Sequence, residues 1–161
     1  MSLTLVRIDD RLVHGQVTVG WGSFLNPDRI LLVSDEIAQD EWQKELYQNC
    51  VPFDIKISIL SVEEAANTLK SGKFDKDRII LLVESPSVLV DLVKNNVVFQ
   101  QVNIGGMHFK PNKKKLLSYV FVDNVDVKAF KFLEESNIEL VCQELPQAKK
   151  ENLISLIENI Q

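Results

Sequence analysis

Seven short apolar, β-branched runs limit what this 161-residue chain can fold into more than any other feature. They fall at Leu3–Ile8, Arg29–Val33, Ile55–Leu60, Ile79–Val83, Val102–Ile104, Tyr119–Val122 and Glu139–Cys142. Runs so short and so continuously apolar suit strands buried on both faces, as in a parallel sheet covered by helices. Helical segments lie between most of them. Glu36–Gln48 sets Ile37, Trp42, Leu46 and Tyr47 among charges, and both Trp42 and Trp21 read as core or half-buried. Ser61-Val62-Glu63-Glu64 is a capping box opening a helix to about Lys70, closed by Ser71-Gly72. Ser85-Pro86 places an N-cap before a first-turn proline. Asp123 or Asn124 caps a helix that buries Val127, Phe130 and Leu133. The last helix spans Lys149–Ile160. The predicted fold class is α/β: a single domain, residues 1–161, with an open, mostly parallel sheet of about seven strands and helices on both faces. Functional loops of such a sheet gather at the carboxyl ends of its strands. Here that edge collects Asp9–Gly15, Ser34–Glu36, Ser61, Glu84–Ser87 and Gly105–Phe109.

The first of these loops holds most of the chemistry. Residues 7 to 16 read Arg-Ile-Asp-Asp-Arg-Leu-Val-His-Gly-Gln, between a buried strand and an apolar segment, Val17–Trp21, that can begin a helix. Imidazole is a nucleophile near neutral pH, and arginine is the side chain best shaped to grip phosphate. The turn therefore points to His14 as a phosphoryl acceptor, with Arg11 on the phosphate oxygens. Amides of Gly15, Gln16 and Val17, at a helix start, are candidate phosphate ligands. Asp10 is the candidate to orient the imidazole or Arg11, with Asp9 as the alternative and the other acid capping the turn. Gly105 and Gly106 make a tight turn and are candidates to border the phosphate. His108 reads as structural, since nothing in the sequence gives it an arginine or a carboxylate. Phe109 reads as an exposed contact. Lys113, Lys114 and Lys115, with Lys110 nearby, are either a solvated loop or a docking patch for an acidic partner.

Composition removes several alternatives. A net charge of −5 argues against general nucleic-acid binding. No apolar run reaches the roughly 18–20 residues that span a bilayer, and the N-terminus has no secretory pattern. Cys50 and Cys142 lack metal-like spacing, so no metal and no cofactor is expected. One glycine between residues 9 and 16 fits neither a Walker loop nor a dinucleotide fingerprint. A histidine phosphatase would place arginine directly before the histidine, where Val13 stands.

The decapeptide closely resembles the active-site turn of the IIB components of the mannose/fructose/sorbose-type sugar phosphotransferase system. Val33-Ser34-Asp35-Glu36 and Asn103-Ile104-Gly105-Gly106-Met107-His108-Phe109 also resemble that family's pattern, so the likeness covers essentially the whole chain. Val13 stands where isoleucine is common. The resemblance implies an antiparallel strand at one sheet edge. It implies a relay in which a IIA protein or domain donates a phosphoryl group from its phosphohistidine. The matched acceptor is His14, through Nδ1, and the matched phosphate-binding residue is Arg11. The group then passes to a sugar carried by membrane IIC and IID components, which places the chain in the cytoplasm at the periphery of a transporter. A regulatory binding protein of the same fold is the alternative.

Overall fold

The computed structural model describes residues 2–160. One sheet of seven strands runs through it in the order β3-β2-β4-β1-β5-β8-β9. The first strands are β1 (Ser2–Asp9), β2 (Arg29–Val33), β3 (Lys56–Leu60), β4 (Arg78–Val83) and β5 (Gln101–Gly106), followed by β8 (Glu139–Cys142). These six pair in parallel, and β9 (Glu151–Asn152) closes one edge antiparallel to β8. Strand β4 illustrates why the apolar runs are continuous. Ile79, Leu81 and Val83 join the cluster on one face of the sheet, while Ile80 and Leu82 join the cluster on the other.

Helices cover both faces. On the first lie α4 (Val62–Lys70), α5 (Pro86–Lys94), α6 (Asn124–Glu135) and α7 (Leu153–Ile160), burying Ala65, Leu89, Phe130 and Ile157. On the second, a π-helical turn (Gln16–Trp21) runs into α1 (Gly22–Leu25) and buries Val17 and Trp21 beside Ile37. Strands β1 and β4 are neighbours, yet the chain leaves them toward opposite faces. That reversal opens a crevice at their carboxyl ends.

Several expectations are refined. The Glu36–Gln48 helix is two helices, α2 (Asp35–Ala38) and α3 (Glu41–Gln48). The break comes from Asp40, whose carboxylate accepts the Gln43 amide at 3.1 Å and starts a new helix. No α3 side chain is fully buried, and Trp42 is 72% exposed rather than in the core. The Ser61–Glu64 capping box is present, and Asp123, not Asn124, caps α6 through a reciprocal box with Asp126. The last helix starts at Leu153, because Glu151 and Asn152 pair with Cys142 and Val141 and Asn152 Oδ1 then accepts the Ser155 amide. The run at Tyr119–Val122 is a strand outside the main sheet. It forms β7 (Val120–Val122), antiparallel to β6 (Lys114–Leu117). The seventh strand of the sheet is therefore β9. Among the described residues no helix is long and apolar enough to cross a membrane.

Candidate functional site

Strand phase decides the site. Along β1, Val6 and Ile8 face the first cluster and Leu5 the second. Arg7 and Asp9 follow Leu5 in phase, and both are completely buried. An arginine inside a sheet needs every partner it can find. Arg7 Nη1 donates to Asn103 Oδ1 at 2.6 Å and to the Gln143 carbonyl at 3.2 Å, and Nη2 donates to Asp9 Oδ2 at 3.0 Å. The guanidinium lies 5.7 Å from the Trp21 ring centroid, and only its Nε lacks a partner. Burial lowers the Arg7 pKa, and the Asp9 carboxylate opposes that shift.

Asp9 is the hub. Besides Arg7 it accepts from Arg11 Nε (3.1 Å to Oδ1), Arg11 Nη2 (3.1 Å to Oδ2) and the Arg11 amide (3.1 Å to Oδ1). Its Oδ2 also meets His14 Nε2 at 2.9 Å. Burial pushes the Asp9 carboxyl upward. The hydrogen bonds from His14 and Arg11 and the charge of Arg7 outweigh burial and hold it well below the usual carboxylate range.

The turn between Asp9 and His14 is tight. The Leu12 amide donates back to the Asp9 carbonyl at 2.9 Å, with Leu12 at φ +58°. A leucine in the left-handed region costs on the order of 1–2 kcal/mol. Burying its side chain returns about 1.5–3 kcal/mol, and Leu12 is buried with Val13 against Trp21 and Val17. His14 follows, with Nε2 committed to Asp9. Among the described residues nothing hydrogen-bonds its Nδ1. Arg11, 38% exposed, also donates Nη2 to Gln16 Oε1 at 2.8 Å, which leaves Nη1 without a partner among the described residues.

The turn therefore joins His14, Arg11 and Gln16 through Asp9. It does not use Asp10 in the expected way. Asp10 lies just past the end of β1, where Oδ1 meets His108 Nδ1 at 2.5 Å and Oδ2 accepts the His108 amide at 2.7 Å. His108 thus has the carboxylate that the sequence did not reveal. The amide of Val17 is taken by the His14 carbonyl at 3.0 Å, so it is not free for a ligand. The amides of Gly15 and Gln16 meet no backbone acceptor among the described residues. Gly105 and Gly106 border Arg7 and Asp9. A side chain at Gly105 would overlap the Arg7 guanidinium, and one at Gly106 would fall 2.9 Å from Asp9 Oδ1. Lys113 is committed to Asp126, with Nζ to Oδ2 at 2.8 Å and both groups nearly buried, while Lys114 and Lys115 are exposed on β6. Phe109 is exposed, its ring edge against Phe121.

Sequence reasoning gave no role to Arg7, Asn103 or Gln143. A signal for the first two was present: a charge inside Leu3–Ile8 and an asparagine inside Val102–Ile104. Arg7 and Asn103 are register partners across β1 and β5. Two polar residues within doubly buried strands require each other.

Comparison with known proteins narrows the chemistry. A family model described as PTS system sorbose subfamily IIB component matches residues 3–161. The fructose-specific EIIB component of Bacillus subtilis (strain 168) is 36% identical over 160 residues, covering 99% of this chain and 98% of that protein. The mannose-specific EIIAB component of Escherichia coli (strain K12) is 35% identical over 99% of this chain, which spans 50% of that longer protein. Among solved structures, the IIBSor domain of the sorbose permease from Klebsiella pneumoniae superposes with a TM-score of 0.94 at 30% identity, covering 100% of this chain and 99% of that one.

Proposed function

The chain belongs to the IIB components of the sorbose subfamily of the sugar phosphotransferase system, and we propose that His14 is the residue through which it passes the phosphoryl group. IIB components of this family are sugar phosphotransferases that work with IIA and with the membrane IIC and IID components. The observation that carries the assignment is the 2.9 Å contact between Asp9 Oδ2 and His14 Nε2. An ionised carboxylate only accepts, so Nε2 bears the hydrogen and the neutral ring presents its lone pair at Nδ1.

In the transfer, His14 Nδ1 attacks the phosphorus of the IIA phosphohistidine. The Nδ1–P bond forms as the donor's N–P bond breaks, and the bonding pair returns to the donor ring. Positive charge grows on the His14 imidazole, and Asp9 stabilises it through Nε2–H. Arg11 is anchored by Asp9 and Gln16 and turns Nη1 to the phosphoryl oxygens, assisted by the Gly15 and Gln16 amides. In the second step a sugar hydroxyl oxygen attacks phosphorus. The Nδ1–P bond breaks, the pair returns to Nδ1, and the hydroxyl proton leaves to solvent. Phosphoryl transfer asks for positioning and charge stabilisation, and this turn supplies both. The work takes place on the cytoplasmic side, at the periphery of the transporter.

The test is incubation with the general phosphotransferase proteins, a matching IIA and phosphoenolpyruvate, followed by intact-mass measurement. The wild type gains one phosphoryl group that is lost in acid and kept in alkali. His14→Ala remains folded and unlabelled, and His108→Ala is still labelled. Labelling of the His14 variant, or an acid-stable adduct, overturns the assignment.

A further inference from the structure

We infer that Arg7 is a positioning residue of the transfer: from inside the sheet it holds Asp9 in the orientation in which Oδ2 meets His14 Nε2. This rests on the reading of His14 as acceptor and adds to it a residue that never touches phosphate. Arg7 is wholly buried, so neither donor nor sugar reaches it. Its connection to the chemistry runs through a single oxygen. Asp9 Oδ2 lies 3.0 Å from Arg7 Nη2 and 2.9 Å from His14 Nε2.

The guanidinium is aimed as well as held. Nη1 is fixed from the side by Asn103 Oδ1 at 2.6 Å and by the Gln143 carbonyl at 3.2 Å, and Asn103 Nδ2 donates to the same carbonyl at 3.1 Å. Gln143 is secured in turn by its side-chain amide, which donates to the carbonyls of Pro146 and Ala148 at 3.0 and 3.1 Å. Gly105 leaves the space, since any side chain there would overlap the guanidinium. A rigid, planar fork with one nitrogen on Asn103 and the other on Asp9 passes the placement of β5 and the end of β8 on to the Asp9 carboxylate.

Stability alone is a poor account of this arrangement. Burying a guanidinium carries a desolvation penalty, and the Arg7 Nε finds no partner to offset its share. An apolar side chain of similar volume would fill the space beside Trp21 without that penalty. What the cation supplies, and an apolar group does not, is a permanent counter-charge for Asp9. Arg11 is a partner of another kind. It is 38% exposed, also bound to Gln16, and in the proposed transfer it turns to the phosphoryl oxygens. Arg7 has no such second duty, so Asp9 stays ionised and oriented while Arg11 engages the incoming group. With the carboxylate fixed, His14 Nε2 keeps its hydrogen and Nδ1 keeps its lone pair for the donor.

A purely stabilising role makes a different prediction. Single-turnover transfer from purified phospho-IIA is measured at varied donor concentration for the wild type, Arg7→Met, Arg7→Lys and Asn103→Leu. Rates are expressed per folded molecule from each thermal unfolding curve, and the nitrogen NMR shifts of the His14 ring are recorded in mildly alkaline solution. Misplacing a reacting group slightly costs up to about a hundredfold in rate. Arg7→Met is expected to lose about ten- to a hundredfold in maximum rate with the half-saturating donor concentration unchanged. Its His14 shifts move from the Nε2–H form toward a mixture of both tautomers. Arg7→Lys recovers part of the rate, because an ammonium keeps the charge and loses the fork. Asn103→Leu keeps the Arg7–Asp9 pair, loses about two- to tenfold, and carries the test if Arg7→Met does not fold. A wild-type maximum rate per folded molecule in Arg7→Met, or in Asn103→Leu where Arg7→Met does not fold, overturns the inference. A slower rate with wild-type ring shifts, or an effect confined to the half-saturating concentration, overturns it as well. In each of these outcomes wild-type His14 is still labelled and its assignment stands. Failure of phospho-IIA to label wild-type His14 overturns both.

Discussion

Asp9 and Asp10 are adjacent, chemically identical, and each holds a histidine, yet one carboxylate is wholly buried and the other partly exposed. Asp9 follows Arg7 in strand phase, is wholly buried, and is bound by two guanidinium groups and His14 Nε2. Asp10 lies one residue on, is partly exposed, and among the described residues its carboxylate meets only His108. The Asp9 pair turns Nδ1 of its histidine outward, and the Asp10 pair turns Nε2 of its histidine outward. Similar dyads thus acquire different settings from adjacent positions at the end of one strand: a buried carboxylate with fixed charge orients the proposed acceptor, and a partly solvated one holds a surface ring.

Removing each carboxylate in turn tests that contrast most severely. Asp9→Asn leaves Arg7 charged inside the sheet with only neutral acceptors. It should cost about 3–5 kcal/mol in denaturant unfolding and abolish rapid labelling. Asp10→Asn should cost under about 1 kcal/mol and leave labelling in place. Equal losses would erase the distinction between the buried and the exposed carboxylate.

Arg11 comes next. It joins the buried hub to the surface, and Arg11→Lys keeps the charge while losing the planar fork that holds Asp9 and, in the proposed transfer, the phosphoryl oxygens. Loss of one charge-assisted contact in the transition state, about 1.5–3 kcal/mol, should slow transfer roughly ten- to a hundredfold. An unchanged single-turnover rate would assign Arg11 to structure alone.

The smallest effect is a matter of pH. Because Asp9 is held below the usual carboxylate range when folded, its stabilisation is complete above the unfolded value of about 3.9. It drains away as pH falls through the lower native value. Unfolding free energies from pH 7 to pH 2 should therefore show a wild-type advantage over Asp9→Asn that is level to about pH 4 and shrinks below it. An advantage already shrinking between pH 7 and pH 5 would mean that Asp9 is not held down by its partners.

Much of this is legible in the sequence. Continuous apolar runs identified six of the seven strands of the sheet, and the caps at Ser61 and Asp123 start helices as read. His14 and Arg11 stood out because a charged turn between two apolar segments is hard to explain otherwise. What escaped is long-range. The partner of Asp10 is 98 residues away, and the partner of Lys113 lies across a hairpin whose lysine-rich strand has no apolar alternation. The exposure of Trp42 follows from the short helix begun by Asp40, a local feature that aromatic content obscured. The choice between Asp9 and Asp10 was within reach, since counting alternate residues from Leu5 through Arg7 arrives at Asp9.

The chain of contacts from Asp9 through Arg7 to Asn103 and the Gln143 carbonyl crosses from β1 to β5 to the end of β8. The turn that holds His14 is synthesised before β5 and β8, but its geometry depends on residues of those later strands. A nascent chain can pair β1 with β4 and still hold Arg7 without its lateral acceptors. Docking of β5 and the end of β8 then completes the partners of Arg7, the buried charge that Asp9 shares with His14, so on the proposed role of His14 the setting of the site is coupled to completion of the sheet.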